Sequence, residues 1–576
     1  LANFGPDLAK KALDLTFHIG TWQCHKFREK IFNRHDVIAT DLAREYVRIA
    51  EEQDHYAANL TLLQLGSLLQ RADLNLTEDD QTLKQFAEKR ARECRKIKQA
   101  YSDPSQALIH CIEISEPYDF PNPQKSQNSD DPTPQINRYC DEKWWLKQVR
   151  TLKVQVIDQV DRALRKVHKH ANPYCGKETL RHRQQQKARN RQYLESTYAT
   201  NQNGQSFSLQ ELSDLSVSNP SIRRAELMTR ISGFEMVADH LGHVGEFYTL
   251  TTPSKYHPML ANGKRNPRYQ QATPKQTQKY LTHLWRLVRA ELHRRKIHVY
   301  GFRVVEPHHD GTPHWHLLLF MEQSHRTEVR EIMQHYALLE DGNEPGAQKY
   351  RFKAIEIDKE KGSAAGYIAK YVTKNIDGNH IEKDLDGNDA NKAALSIEAW
   401  ASTWKIRQFQ QIGGPSVTVW RELRKLDHAD NPEVESLRKH ADAGDWAAYV
   451  LAMGGPTLPR KQHPVRPAYE TMTDEGETID RETGEIQPIR ETRYGDTPQP
   501  RLLGLDCKGL FEKTRKHTWE ISQTQPETMP DDLSFPSTQT TQAINKHRER
   551  SADAAQSKRF SARCEAVAIR PLDSCQ

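Results

Sequence analysis

Residues 297–320 read IHVYGFRVVEPHHDGTPHWHLLLF, and this stretch decides the fold. Ile297–Val305 is rich in β-branched and aromatic residues, and Trp315–Met321 is apolar at most positions. Both read as strands, the second as a central one. His309-Asp310-Gly311-Thr312 between them is a turn signal, so the two strands make a hairpin. Alternate side chains of a strand share a face, which sets His314 and His316 side by side and places Glu306 across the turn. Two imidazoles and a carboxylate suit Mg²⁺ or Mn²⁺. His308 and His309 compete with Glu306 for the third ligand position, and Asp310 reads as a turn residue. The His-x-His pattern alone carries little weight in a chain with 26 histidines.

Outward from the hairpin, the texture stays regular. Phe247–Thr251 (FYTLT) is β-prone, and Pro274–Arg295 is a helix with an apolar stripe of Leu281, Leu284, Val288 and Leu292. Thr327–Leu339 follows as a helix, Arg351–Ile357 as an alternating strand and Ser363–Asn375 as a helix. This order predicts an α+β domain over 245–426, with a mainly antiparallel sheet flanked by helices.

The last of those helices carries Gly366–Lys374 (GYIAKYVTK). Tyr367, Lys370, Tyr371 and Lys374 fall at i, i+3, i+4 and i+7 and share one face. Read alone, such a pair is an aromatic contact with the core. Downstream of a metal-binding hairpin it reads as a pair of nucleophiles. A phenol attacks poorly near its free pKa of about 10, and a neighbouring cation with a metal-polarised phosphate addresses that. Two tyrosines one turn apart permit two successive transesterifications. Upstream, Ser254–His298 holds eleven Lys/Arg against the single acid Glu291. Lys255 and Arg265 in that segment, with Lys370 and Lys374, are candidate DNA contacts.

The rest of the chain bounds the reading. At 576 residues it exceeds one compact core. Residues 1–115 read as helical, 116–136 as a linker rich in Pro, Ser, Asn and Asp, and 137–244 as a second helical region with Trp144, Trp145 and Val149 in its core. Residues 427–576 are polar, and are expected to be largely disordered with short helices. Eight scattered cysteines without CxxC spacing support neither a zinc ribbon nor a disulfide framework, and point to a reducing cytoplasm. Mean hydropathy is −0.85, and no stretch reaches the roughly 18 to 20 apolar residues of a membrane helix. No secretory signal is expected, because Leu1–Thr21 is amphipathic and charged.

Glu306–Phe320 resembles the HUH motif of rolling-circle replication initiators, Gly366–Lys374 their two-tyrosine motif and Phe247–Pro253 (FYTLTTP) their first motif. Ser218–Gly233 and Ala399–Leu426 are similar to segments of the replication gene A proteins of tailed temperate bacteriophages. The resemblance covers roughly residues 140 to 430. It implies an HUH endonuclease fold and a protein that nicks single-stranded or melted origin DNA in the bacterial host cytoplasm. It also implies His314 and His316 as metal ligands. Tyr367 or Tyr371 would attack the scissile phosphate, leaving a 5′-phosphotyrosine and a 3′-OH primer, and the second tyrosine would end the round. A host replicative helicase and polymerase are implied partners, since the chain has no GxxxxGK[ST] motif. Three rivals remain: a two-tyrosine transposase or plasmid initiator, a non-catalytic origin-binding protein, and a metal-dependent hydrolase with no covalent step.

Overall fold

The computed structural model describes residues 7–123, 130–260, 262–357, 363–376, 390–472, 477–481, 483–488 and 492–524. It divides into two compact units, Leu1–Thr179 with Thr471–Pro500, and Leu180–Glu470 with Arg501–Gln576.

The first unit is helical. Leu8–Thr16, Trp22–Arg34, Ala39–Glu52, His55–Leu69, Asp80–Ala100, Pro104–Ser115, Thr133–Tyr139 and Glu142–Ala163 share one core. Asp7, Thr21, Asp54, Asp79, Asp103 and Asp141 cap helix N-termini with their side chains. The expected boundary at 116–136 does not separate two cores. Ile136, Tyr139, Trp145 and Val149 are buried with Tyr46, Leu62 and Leu83, and Trp145 Nε1 donates to the Tyr139 carbonyl at 2.7 Å. Burial pushes His35 down to about 4 in this unit. Its neutral form therefore contributes stability that is complete above the unfolded value near 6.5 and is lost as pH falls toward 4. The contribution is on the order of 3 kcal/mol. We expect urea unfolding of the full chain to show this loss between pH 7 and pH 4.5, and His35→Gln to flatten it. Equal pH slopes in both proteins would refute the assignment.

The second unit is built on a five-stranded, fully antiparallel sheet. Its strands are β1 (His243–Leu250), β2 (Tyr300–Pro307), β3 (Pro313–Glu322), β4 (Phe352–Glu356) and β5 (Phe409–Ile412), in spatial order β4-β1-β3-β2-β5. Helices of this unit include α1 (Pro220–Leu241), α2 (Pro274–Arg294), α3 (Arg326–Leu338), α4 (Ala364–Ile376), α5 (Ala390–Trp404), α6 (Val417–Leu423) and α7 (Pro432–Asp442). Local signals fix their ends. Pro220 and Pro274 open α1 and α2, a Thr273/Gln276 capping box precedes α2, and Gly242 ends α1 at φ 68. One sheet face, with Phe247, Phe302, Val304, Leu318 and Phe320, packs on Leu227 and Phe234 of α1 and on Ile368 and Val372 of α4. The opposite face meets α2 through a Trp315–Gln278 hydrogen bond and α3 through the Arg330–Glu246 ion pair.

Gly301 of β2 lies against the backbone of β3. Its φ is 148, and a Cβ there would overlap the Leu318 carbonyl oxygen. We expect Gly301→Ala to destabilise the domain by about 3 kcal/mol or more. A thermal melt within about 1 °C of the parent would rule this out.

The antiparallel α+β reading is correct, with the limits of the expected strands and helices of this domain within four residues of those observed. The expectation of a largely disordered 427–576 needs correction over its described part. α7 buries Val434, Leu437 and Ala441, Trp446–Ala452 is a further helix, and Val465–Tyr469, Leu502–Cys507 and Leu510–Lys513 form a sheet. Low apolar content hides them because each buries only a few side chains. Residues 525–576 lie outside the described residues. Residues 137–244 also contain a hairpin, Tyr198–Asn201 with Ser206–Ser208, in the expected helical region. Among the described residues no helix is long and apolar enough to cross a membrane.

Candidate active site

The hairpin turn is tied at several points. His308 N donates to Thr312 O at 2.7 Å, Thr312 N donates to Asp310 Oδ1 at 2.9 Å, and Trp400 Nε1 of α5 donates to Gly311 O at 2.9 Å. Asp310 is thus the turn residue that its sequence context implies. The resulting register sets Glu306 opposite His314, and Thr249 and Val304 on either side of His316.

That register gathers a donor cluster. One ligand atom each from Glu306, His314 and His316 lies within 4.8 Å of the others. Glu306 Oε2 is 3.4 Å from His316 Nε2 and 3.9 Å from His314 Nε2. Thr249 Oγ1, 3.2 Å from His316 Nδ1, orients that ring so that Nε2 faces the carboxylate. His314 Nδ1 is buried without a hydrogen-bond partner. Burial, then the neighbouring His308, His316 and Lys374, holds the His314 imidazole well below its usual range, in the neutral form that ligates. Burial alone would raise the Glu306 carboxyl, but Lys374, His316 and Asn375 together hold it below its usual range. An anionic oxygen and two neutral imidazole nitrogens converging on one point fit a divalent cation of the Mg²⁺ or Mn²⁺ type. His308 stacks on His314 at 4.0 Å but stands outside the cluster, as does His309.

α4 brings the tyrosines to the same place. Glu235 of α1 accepts from the amides of Ala364 and Ala365 at 2.6 and 3.0 Å, and Ser363 Oγ accepts from Gly366 N at 2.9 Å. The carboxylate also offsets the positive helix end, so α4 starts at a fixed point. The Tyr371 ring then lies 4.1 Å from His316 and 5.2 Å from Phe247, and the Tyr367 ring 4.5 Å from Phe247. The two tyrosine rings are 6.3 Å apart. Burial first, then Tyr367 and Glu306, raises the Tyr371 phenol well above its usual range.

The helix face differs from its sequence reading at one edge. Lys374 is buried, with Nζ 4.0 Å from Glu306 Oε2, whereas Lys370 is exposed. At about 3.6 residues per turn the inward arc runs through Lys374, Tyr367, Tyr371 and Asn375, and Lys370 falls on its solvent side. Asn375 is the residue that sequence reasoning misses. Its Nδ2 donates to Glu306 Oε1 and, at 2.6 Å, to Tyr371 O, while its Oδ1 accepts from Gln408 Nε2 at 3.0 Å. A signal for it exists, since Asn375 sits at i+4 from Tyr371. Lys255 pairs with Glu340 and Asp341, and Arg265 forms a β-bridge with Met259. Neither makes a described contact with the cluster or the tyrosines.

Residues 70–379 match the model of the bacteriophage replication gene A protein family. The chain is 42% identical to the replication gene A protein of Escherichia phage 186, over 67% of this chain and 59% of that protein. It is 40% identical to the replication gene A protein of Escherichia phage P2, over 62% of this chain and 50% of that protein. It is 35% identical to a probable replication endonuclease from a prophage-like region of Salmonella paratyphi A, over 59% of this chain and 45% of that protein. The matched region spans between 45% and 59% of the length of these relatives. No solved structure matches the chain. The hairpin and the tyrosine helix both lie within the matched residues, which cover more than half of the sequence, and the chain belongs to the bacteriophage replication gene A protein family.

Proposed function

We propose that the chain is a metal-dependent endonuclease that initiates rolling-circle replication by nicking one DNA strand and bonding covalently to it. The observation that carries this reading is the Tyr371 ring lying 4.1 Å from His316, a member of the Glu306–His314–His316 cluster. A hydrolase working through a metal alone has no use for one tyrosine held against a ligand and a second one turn away.

In the proposed reaction the phenol oxygen of one tyrosine attacks the scissile phosphorus. The P–O3′ bond breaks, and the phenol proton is balanced by protonation of the leaving 3′ oxygen. The products are a tyrosine ester of the 5′-phosphate and a free 3′-OH. When bound, a divalent cation supplies Lewis acidity to a non-bridging phosphate oxygen. Glu306, His314 and His316 would hold it, while Asn375 and Thr249 keep two of those ligands oriented. Lys374 places a positive charge beside the reacting phosphate. The second tyrosine, one turn away, attacks the regenerated nick site; the 3′-OH it frees attacks the first phosphotyrosine, the P–O bond to that tyrosine breaks, and the circle closes as the first phenol regains its proton. Host replicative helicase and polymerase extend the primer, and the setting is the bacterial host cytoplasm.

The test is incubation with labelled single-stranded origin DNA and Mn²⁺ or Mg²⁺, followed by a denaturing gel. The reading expects a band shifted by the mass of the protein. Cleavage without a shifted band would favour a plain hydrolase, and no cleavage with either metal would sink the proposal.

A further inference from the structure

The sheet face opposite the tyrosines holds a charge that the proposed chemistry does not use. Arg303 of β2 is only 5% exposed, yet it has no carboxylate partner among the described residues. Its Nη2 donates to the Arg407 carbonyl at 3.0 Å, and its guanidinium lies 4.2 Å over the Trp315 ring. Its Nε is buried and finds no acceptor. A buried guanidinium normally has an anion beside it, because taking a cation out of water is costly. Here the charged neighbour is a second cation. Arg407, at the open edge strand β5, is exposed, and its Nε donates to the Phe409 carbonyl at 3.2 Å. It too has no described carboxylate partner, and it lowers the Arg303 guanidinium after burial has done so.

The same edge collects the two family-like segments that the active site leaves unexplained. Arg230 of α1 donates to Gln411 of β5 at 3.2 Å, and Arg421 of α6 pairs with Glu226 at 2.7 Å. Segments 218–233 and 399–426 together hold eight Lys/Arg against two acids, Glu226 and Glu422. Both acids are already taken, Glu226 by Arg230 and Arg421, and Glu422 by Lys425 and Arg515. Among the described residues, nothing supplies Arg303 and Arg407 with a counter-charge.

We propose that Arg303 and Arg407 form a phosphate-binding site for the DNA backbone, at the β2–β5 edge of the sheet. Two guanidinium forks at one sheet edge match a phosphodiester, which takes paired N–H donors and needs no particular base. The Trp315 stack ties the site to the strand between the two histidine ligands, so a strand held there is held in fixed register with the nick. This site rests on the DNA-nicking reading for its ligand, and its test is independent of nicking.

The experiment measures binding of the full chain, without metal, to a labelled dT30 single strand and to a mixed-sequence 30-base-pair duplex, across a salt series. Removing one cation–phosphate pairing lowers the slope of log affinity against log salt by roughly 0.7 for a single strand and 0.9 for a duplex. Arg407→Gln is expected to show one such decrease, with a several-fold weaker affinity near 0.1 M salt. Arg303→Gln is expected to show the same, and the exposed Arg407 keeps the test decisive where that buried change unfolds the chain. A decrease only with dT30 assigns the site to the nicked strand, and a decrease only with the duplex assigns it to flanking DNA. Unchanged slope and affinity of Arg407→Gln with both probes overturns the proposal. A lowered slope in a protein that forms no tyrosine adduct would keep this site and discard the nicking mechanism.

Discussion

Replacing Tyr367 and Tyr371 together by Phe is expected to abolish the protein–DNA adduct while leaving DNA binding and the fold intact. The expected loss is at least on the order of 10⁴-fold in nicking rate, or about 5 kcal/mol of barrier. The reason is chemical: the ring remains and the attacking oxygen is gone. Both rings pack on Phe247, and Phe keeps that packing, so the core is not opened. The single variants separate the two roles. If the tyrosines alternate, each single Phe variant still makes one adduct but fails to release a closed circle. A first nick missing in one variant alone identifies the initiating residue. Full nicking by the double variant, with no adduct, would leave a hydrolytic metal site and remove the covalent step. Unchanged origin binding with no nicking by the parent protein would leave only the non-catalytic reading.

The site is legible in the sequence to the extent that its residues follow a backbone period. Strand alternation alone puts His314 beside His316, and the Asp310-Gly311 turn brings Glu306 opposite His314, as the register has it. What does not follow is set by packing between elements distant in sequence. β5 is four residues, Phe409-Gln-Gln-Ile412, half of them glutamine, and it is a strand because β2 pairs with it. No local pattern marks it. Lys370 and Lys374 look equivalent by spacing, but the helix phase turns Lys374 inward to meet Glu306 and leaves Lys370 on the solvent side. Lys255 looks like a free cation in a basic segment, but Glu340 and Asp341 fold back onto it. Asn375 escapes notice because an asparagine at a helix end reads as a terminator. Here its amide joins Glu306 to the Tyr371 carbonyl, so the histidine hairpin and the tyrosine helix are one hydrogen-bonded unit.

That junction sets the second large effect. Glu306→Gln is expected to cost on the order of 10³-fold or more in adduct formation at a fixed low Mn²⁺ concentration. Asn375→Ala is expected to cost only about 10- to 100-fold. The two substitutions act on the same carboxylate at different levels. The amide of Gln keeps an oxygen that can accept from Asn375, and the side chain keeps its volume, so β2 and α4 stay joined. What disappears is the negative charge that a divalent cation needs among two neutral imidazoles. The positive charge of Lys374, 4.0 Å from that oxygen, remains beside the site and disfavours the incoming cation further. Mn²⁺ titration by calorimetry separates these effects from misfolding. Glu306→Gln should lose the heat of binding while melting near the parent, and millimolar Mn²⁺ should recover part of its activity. Asn375→Ala should bind Mn²⁺ more weakly but still measurably, because all three ligands remain. Chelation of the parent protein should stop nicking, and either Mg²⁺ or Mn²⁺ should restore it. Equal activity of Glu306→Gln and the parent across the titration would remove Glu306 from the ligand set, and with it the reason Asn375 and Lys374 are buried against it.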